Sequence, residues 1–263
     1  MNVDLHTIRA VALDLDGVVW RGEERLPGVP QFFTFLNQRG IPYVFLTNNS
    51  TRTPAEYVPK IGRYAIPVHD HQVINSGIVT AEAMVKNYPS GTPIYVVGSE
   101  TLAAMLRARG YLIDPDNAQV VVVGLDTQMT YEKLTIAGRR ILAGAAFIGT
   151  NADATFPVPG GLTPGAGSLI AAVQTMTGHK PLIMGKPQPT MFEIALERLG
   201  APPERTLMIG DRLDTDILGA AGVSMKTALV LTGISHREDI PRAQAHPDLV
   251  TENLETLMTQ WAL

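Results

Sequence analysis

The chain has 263 residues, 45% of them hydrophobic and 17% charged, which is typical of a globular protein with one large domain or two smaller ones. Its net charge of -4 gives no general attraction to nucleic acid or to an anionic membrane, so an anionic substrate must be held by local groups. The absence of cysteine excludes disulfides and thiolate catalysis. We see neither an export signal nor an eighteen-residue apolar run, and we expect a cytoplasmic protein.

Short β-branched apolar segments alternate with longer segments of helical periodicity. The predicted strands are residues 9–13, 43–46, 94–97, 120–123, 146–148, 182–184, 206–209 and 228–231. The predicted helices are residues 29–39, 55–64, 100–109, 131–143, 168–177, 189–199 and 213–221. This alternation indicates βαβ units around a parallel sheet, and therefore an α/β fold.

Turn-rich sequences enclose a middle segment that contains its own strands and helices. Pro89-Ser90-Gly91 lies near its start, and Gly178-His179-Lys180-Pro181 lies at its end. We predict an inserted domain of residues 86–180 within a core formed by residues 1–85 and 181–263. A single continuous sheet is the alternative.

Two aspartates directly follow the first predicted strand. Asp14 and Asp16 fall at its carboxyl end, where open α/β sheets bind ligands. Carboxylates this close repel each other, so the pair makes sense if a divalent cation neutralises one and the other transfers a proton. The alternatives for an isolated Asp-x-Asp pair are a surface turn and the metal clamp of a glycosyltransferase.

A second acidic cluster follows the strand predicted at residues 206–209 and opens a helix. Acidic residues also cap helices, and we assign that role to Asp214. Asp211 comes immediately after Gly210 at the strand end and is the better candidate for a metal ligand. We expect Asp216 to support Asp211 without touching the ion.

Groups that suit phosphate oxygens follow two further predicted strands. Thr47, Asn48 and Asn49 offer hydroxyl, amide and backbone N–H groups, although the same residue types are common in turns. Lys186 offers an ammonium that can offset the charge of a carboxylate and a phosphate, although a lysine in a loop is usually just solvated. Since all of these motifs lie at the ends of apolar strands, they favour one shared phosphate site.

With these motifs in this order, the chain resembles the haloacid dehalogenase (HAD) superfamily. Its similarity to the NagD and 4-nitrophenylphosphatase branch extends over residues 15–20, 47–49, 150–153, 163–165 and 210–217. The resemblance implies a Rossmann-like parallel-sheet core and an inserted α/β cap domain over the active site.

The resemblance also implies a phosphatase that forms an aspartyl-phosphate. Asp14 would attack phosphorus, while Asp16 would contact the ester, protonate the leaving oxygen and later deprotonate the attacking water. Mg²⁺ would be held by the Asp14 carboxylate, the Asp16 main-chain carbonyl and Asp211. Thr47 and Lys186 would hold the phosphoryl oxygens, together with Asn48 and its neighbour in the same motif.

The implied substrate is a small phosphomonoester, with no nucleic-acid or membrane partner and with a homodimer as an open alternative for the assembly. Asn151, Asp153 and Phe156 occupy the segment that faces the leaving group in this branch. Pyridoxal phosphatases of similar sequence place a histidine where this chain has Phe156, which argues against pyridoxal phosphate. Nucleotide monophosphates, phosphoglycolate, sugar phosphates and 4-nitrophenyl phosphate stay open.

Two other functions use related residues. A phospho-receiver module also has an acidic cluster, a hydroxyl residue and a lysine, but it is shorter and has no cap. A metal-dependent glycosyltransferase would use Asp14 and Asp16 but would leave Thr47, Lys186 and Asp211 unexplained. The sequence therefore favours the phosphatase.

Overall fold

A computed structural model describes residues 3–158 and 160–262. The chain divides into two compact units. The first, which we call the core unit, comprises Met1–Thr47, Pro54–Ile74 and Lys186–Leu263. The second, the insert unit, comprises Asn48–Thr53 and Asn75–Gly185. It thus begins earlier in the chain than residue 86, the start that we predict for the inserted domain.

The described residues form strands and helices in close alternation. The strands are β1 (Ala10–Asp14), β2 (Trp20–Arg21), β3 (Glu24–Arg25), β4 (Tyr43–Thr47), β5 (Val73–Asn75), β6 (Pro93–Val97), β7 (Leu112–Ile113), β8 (Val120–Val123), β9 (Ala146–Gly149), β10 (Thr155–Val158), β11 (Gly161–Pro164), β12 (Leu182–Ile183), β13 (Thr206–Gly210), β14 (Lys226–Val230) and β15 (Leu249–Thr251). The α-helices are α1 (Val29–Gln38), α2 (Pro54–Gly62), α3 (Ser76–Val85), α4 (Glu100–Arg107), α5 (Tyr131–Leu142), α6 (Ala166–Thr177), α7 (Pro189–Leu199), α8 (Leu218–Gly222) and α9 (Leu254–Ala262).

A six-stranded sheet of order β15-β14-β13-β1-β4-β5 forms the centre of the core unit. Strand β1 pairs in parallel with β13 on one side and β4 on the other, and β14 pairs in parallel with both β13 and β15. All five residues of β1 are buried, as expected for a strand covered on both faces. After β1 the chain adds β4 and β5 on one side of that strand and later adds β13, β14 and β15 on the other side. Doubly wound sheets bind ligands at such a switch point.

Aromatic side chains fill much of the core unit. Helix α1 buries Phe33, whose ring lies 4.9 Å from that of Tyr43 and 5.5 Å from that of Phe45, centroid to centroid. Phe32 of the same helix lies 6.4 Å from the ring of Trp261 in α9. These contacts hold α1 against the sheet on one side and against α9 on the other.

A five-stranded parallel sheet of order β12-β9-β8-β6-β7 forms the centre of the insert unit. Its central strand, Val120–Val123, is buried throughout. Val173 of α6 and Ile141 of α5 pack with the sheet residues Val121 and Val123 in one apolar cluster. The antiparallel hairpin β10–β11 is a separate two-stranded sheet.

The structure confirms the predicted α/β fold with parallel sheets. It adds the edge strands β5 and β15, which are three residues each and too short to show a periodic pattern. It also differs at the helix predicted for residues 213–221, where a π-helical turn, Leu213–Ile217, precedes the short helix α8. None of the helices in the described part of the chain has the length and apolar character that a membrane crossing requires.

We predict that Phe33→Ala lowers the free energy of unfolding of the core unit by about 3–5 kcal/mol, because it leaves a cavity among fully buried rings. Both tryptophans of the chain, Trp20 and Trp261, belong to the core unit, so urea unfolding followed by tryptophan fluorescence reports on that unit. Gln31→Ala, at an exposed position of the same helix, is the control and should change stability by less than about 0.5 kcal/mol. A similar small change for Phe33→Ala would contradict this account of the core.

Candidate active site

The first predicted site residue, Asp14, ends β1 and is 8% exposed. The ammonium of Lys186, itself 3% exposed, lies 2.8 Å from Asp14 Oδ1. Lys186 also donates to the main-chain oxygen of Leu46, 3.3 Å away, which pairs with Asp14 in the register of β1 and β4. The predicted nucleophile and the predicted lysine are therefore in direct contact.

The same ammonium lies 2.6 Å from Oδ1 of Asp216, which is fully buried. The second carboxylate oxygen of Asp216 accepts a hydrogen bond from the backbone N–H of Arg212, 3.2 Å away. The π-helical turn Leu213–Ile217 brings Asp216 back to this position, and such turns are often found at functional sites. Asp216 thus joins the site through Lys186.

Asp211 follows β13 directly and is 2% exposed. Its Oδ2 accepts a hydrogen bond of 2.8 Å from the backbone N–H of Ile234, and its main-chain oxygen accepts one of 3.0 Å from the N–H of Ser235. Its Oδ1 is buried and has no hydrogen-bond partner among the described residues. A buried carboxylate oxygen without a donor is costly unless a ligand satisfies it.

The loop after β14 shapes the position of Asp211, and the sequence analysis missed it. A Cβ added at Gly233 would lie 1.8 Å from Asp211 Oδ2, so only glycine lets the backbone approach the carboxylate this closely. The sequence signal was the Thr232-Gly233 pair just beyond a strand end, the same placement that marks the other motifs.

Asp14, Asp211 and Asp216 form one buried acidic group, with ligand atoms within 4.8 Å of one another. Burial raises the pKa of Asp14, against the opposing charge of Lys186, and it raises the pKa of Asp216 to about 6. Burial and then the charges of Asp14 and Asp216 raise the pKa of Asp211 well above its usual range. For Lys186, burial alone would lower the pKa, but the two neighbouring carboxylates outweigh it and raise the pKa.

Asp16, in contrast, is exposed, and its side chain is not a member of the acidic group. Its Oδ1 accepts a hydrogen bond of 2.8 Å from Nε1 of Trp20. Its predicted contribution to a metal site is a main-chain carbonyl, which stays a prediction. Trp20 was not among the predicted site residues.

The Thr-Asn-Asn motif divides between the two units of the chain. Thr47 ends β4 in the core unit and is 3% exposed. Asn48 opens the insert unit, where its Nδ2 lies 3.3 Å from Asp153 Oδ1. Asn49 Oδ1 accepts hydrogen bonds from the backbone and hydroxyl groups of Thr51, at 2.9 and 2.7 Å. Asn49 thus stabilises a turn, and the phosphate-binding roles of all three stay predictions.

Two of the predicted specificity residues of the insert unit take part in its own hydrogen bonds. Asn151 is 4% exposed and donates from Nδ2 to the main-chain oxygen of Asn48, 2.8 Å away. Its Oδ1 accepts from the backbone N–H of Asp153 at 3.1 Å. Phe156 lies half-buried in β10, opposite Thr163 of β11. Their proposed contact with a leaving group stays a prediction.

Asp214 lies close in sequence to the acidic group but differs from it in environment. It is exposed and forms two hydrogen bonds, of 3.0 and 2.8 Å, with the guanidinium of Arg212. Its pKa is lowered by these hydrogen bonds. Asp214 therefore pairs with a neighbouring side chain, and the helix-capping role that we assign to it stays a prediction.

Comparison with known proteins decides the family. A family model described as haloacid dehalogenase-like hydrolase matches residues 11–112, and a second, HAD-hydrolase-like, matches residues 183–257. An acid sugar phosphatase of Staphylococcus aureus is 37% identical over 253 residues, which are 96% of this chain and 97% of that protein. The chain belongs to the haloacid dehalogenase-like hydrolase family.

Solved structures agree with this assignment. A 4-nitrophenylphosphatase from Thermotoga maritima is 36% identical, has a TM-score of 0.92 and matches 98% of this chain and 99% of its own. NagD from Escherichia coli K-12 is 30% identical, has a TM-score of 0.87 and matches 94% of this chain and 97% of its own. The predicted NagD-like branch and the predicted enzyme class, a HAD-type phosphatase, are confirmed.

We predict that Lys186→Met lowers the free energy of unfolding in EDTA by about 3–5 kcal/mol, because it leaves the Asp14 and Asp216 carboxylates buried without their shared cation. Urea unfolding followed by tryptophan fluorescence measures the loss. The double variant Lys186→Met/Asp216→Asn should recover part of it, since one of the two unpaired charges is gone. Equal losses in the single and double variants would contradict a shared electrostatic cause.

We expect Gly233→Ala to lower kcat/KM for 4-nitrophenyl phosphate about 100-fold, because the added methyl group displaces the Asp211 carboxylate by a distance comparable to 1 Å. Phosphate-ester hydrolysis and circular dichroism measure activity and fold. Gly222→Ala is the matched control, since a Cβ there meets nothing within 4 Å. A Gly233→Ala variant with near wild-type activity would show that the Asp211 position is not critical.

Proposed function

We propose that the protein is a Mg²⁺-dependent phosphatase that hydrolyses small phosphomonoesters through an aspartyl-phosphate on Asp14. The observation that carries this proposal is the buried cluster in which Lys186 contacts Asp14 and Asp216, with Asp211 beside them. Phosphoryl transfer requires mainly positioning and neutralisation of negative charge, and this cluster supplies groups for both.

The acidic group fits a bound Mg²⁺. The acidic group has three carboxylates, and the Lys186 ammonium contacts two of them, so these four side chains together carry two negative charges in excess when all are ionised. Mg²⁺ prefers oxygen ligands of this kind. Asp211 Oδ1 has no donor among the described residues, which suits a direct ligand. Both oxygens of Asp216 are hydrogen-bonded, which suits a residue that supports the ligands from outside.

Asp14, Asp211 and the main-chain carbonyl of Asp16 would hold the ion. When bound, Mg²⁺ supplies positive charge that offsets the charge of the phosphoryl group and of the acidic residues. Lys186 supplies a further positive charge at Asp14 Oδ1. Thr47 and Asn48, with Asn49, are the proposed donors to the phosphoryl oxygens.

The reaction has two balanced steps. In the first, an oxygen of the Asp14 carboxylate forms a bond to phosphorus, the bond from phosphorus to the ester oxygen breaks, and Asp16 gives its proton to that oxygen. In the second, Asp16 takes a proton from water, the water oxygen bonds to phosphorus, and the Asp14–phosphorus bond breaks to release phosphate. Asp16 is exposed, as a group that exchanges protons with an entering ester or water must be.

For the substrate class we propose a sugar phosphate. The support is the full-length similarity to proteins named acid sugar phosphatase, at 37% identity. In this proposal the insert unit acts as the cap, and Asn151, Asp153 and Phe156 select the leaving group. The proposed location is the cytoplasm, which suits a chain without cysteine, and a homodimer stays a prediction.

The two alternative functions are not favoured. Relatives and solved structures that match nearly the whole chain carry the names of phosphatases. A phospho-receiver module would not need the insert unit, and a nucleotide-sugar site would not need Lys186 between two carboxylates.

Phosphate release from a panel of esters, measured with Mg²⁺ and with EDTA, tests the proposal. We expect Mg²⁺-dependent release, fastest among natural esters for hexose phosphates and slower for nucleoside monophosphates and phosphoglycolate. Asp14→Asn should reduce release to background for every ester while keeping the fold, because it removes the nucleophile and retains its shape.

Asp214→Asn is the matched control, since Asp214 lies in the same acidic stretch but pairs with Arg212 alone among the hydrogen bonds described above. It should keep wild-type activity. Release that persists in Asp14→Asn would exclude the covalent mechanism, and release unaffected by EDTA would exclude the metal. A preference for another ester would overturn the substrate class alone.

A further inference from the structure

The acid/base candidate Asp16 is contacted by Trp20, a residue that has no role in the two reaction steps given above. Nε1 of Trp20 donates a hydrogen bond of 2.8 Å to Asp16 Oδ1. The backbone makes this contact possible, because Gly17 has φ of +83° and its N–H donates to the main-chain oxygen of Trp20 at 2.7 Å. The chain therefore turns tightly after Asp16 and returns the indole to its carboxylate.

The indole is fixed although the carboxylate that it contacts is exposed. Trp20 is 1% exposed, and its ring lies under the ammonium of Lys60, 4.4 Å from the ring centroid. Lys60 is 9% exposed and also donates to the main-chain oxygen of Gly22 at 3.1 Å and to Glu23 Oε1 at 3.3 Å. Helix α2 thus clamps the hairpin β2–β3 through its lysine.

The ring of Tyr64 adds a second support from the same part of the core unit. Its centroid lies 5.9 Å from that of Trp20, and its hydroxyl donates to the main-chain oxygen of Glu23 at 2.8 Å. Lys60 and Tyr64 therefore hold the hairpin through the ring of Trp20 and through main-chain oxygens of its turn. An indole held in this way has one orientation from which to donate.

The chemistry of the donor suits a residue that positions a proton-transfer group. An indole N–H is a donor only and does not titrate in the range of a carboxyl group, so it holds Asp16 in either protonation state without exchanging its proton. A hydrogen bond to one carboxylate oxygen narrows the range of rotamers that an exposed aspartate can adopt. Proton transfer to a leaving oxygen requires hydrogen-bond distance and correct orientation, and fixing one rotamer supplies both.

We propose that Trp20 is a positioning residue for Asp16, held in place by Lys60, and that it speeds the protonation of the leaving oxygen. The proposal rests on the proposed function, in which Asp16 is the general acid. It assigns to the hairpin β2–β3 a role in the chemical step, through a side chain that does not itself touch the substrate.

Trp20→Phe tests the proposal, because phenylalanine keeps an aromatic ring beneath Lys60 and removes the N–H donor. The substrates are 4-nitrophenyl, phenyl and benzyl phosphate, which share a ring but release oxygens of increasing basicity. Values of kcat/KM include the steps up to release of the leaving group and exclude the later attack of water. A basic leaving oxygen needs the proton from Asp16, whereas 4-nitrophenolate leaves with much less help.

We expect Trp20→Phe to lower kcat/KM for benzyl phosphate about tenfold more than for 4-nitrophenyl phosphate, a modest share of what general acid catalysis contributes. Phenyl phosphate should lie between them. Trp261→Phe is the matched control, since it makes the same change at the other buried tryptophan of the core unit. It should leave the ratio between the esters unchanged.

Lys60→Met keeps the indole N–H but removes the ammonium above the ring and its hydrogen bonds. It therefore tests the proposal if Trp20→Phe does not fold. We expect it to change the ratio in the same direction by a smaller factor, about threefold. Equal losses for all three esters in a folded Trp20→Phe variant, or in Lys60→Met if only that variant folds, would show a merely structural role and overturn the proposal. If the wild type hydrolyses none of the esters, the proposed function fails instead.

Discussion

The contact of one buried ammonium with two buried carboxylates is the interaction on which the site depends. Lys186 lies 2.8 Å from Asp14 and 2.6 Å from Asp216, and all three side chains are almost completely withdrawn from water. In such surroundings an unpaired charge costs several kcal/mol, and the charge of the lysine lowers that cost for both carboxylates. The lysine balances only part of the negative charge, because Asp211 belongs to the same acidic group. The remaining negative charge is what the proposed divalent cation would offset.

The topology of the core unit explains how residues so distant in sequence meet. Strands β13, β1 and β4 are adjacent and parallel, so their carboxyl ends share one edge of the sheet. Asp14 ends the middle strand, and Asp211 follows one neighbour directly. Lys186 reaches the same edge and donates to the main-chain oxygen of Leu46, near the end of the other neighbour, β4. A parallel sheet thus concentrates chemistry at one edge, while hydrophobic contacts such as those of Phe33 with Tyr43 and Phe45 pack α1 against β4.

Much of this was accessible from the sequence, because the information is local. Asp14, Asp211 and Lys186 each follow an apolar segment, and strand-end placement is visible without a structure. The contact between Asp216 and Lys186 was not visible, since it depends on a π-helical turn that periodicity does not distinguish from an ordinary helix. Gly233 and Trp20 were missed for other reasons. Gly233 matters because a separate backbone segment approaches Asp211 closely there, and this depends on how the segments pack. Trp20 matters because the tight turn at Gly17 lets its indole donate to Asp16, and a periodic pattern does not reveal such a turn.

The two aspartates of the first motif differ in environment in a way that suits the two different roles proposed for them. Burial raises the pKa of Asp14, and the neighbouring Lys186 ammonium opposes that shift. Asp16, two residues later, is exposed, and this exposure suits its proposed proton exchange with the ester and with water. Pairs of carboxyl groups whose surroundings differ in this way are how one site carries out both nucleophilic and acid/base chemistry. The division starts in the backbone, since β1 ends at Asp14 and the turn at Gly17 redirects the chain before the next strand. Asp14 is therefore supported by the sheet, whereas Asp16 is supported by the hairpin β2–β3 through the hydrogen bond from Trp20.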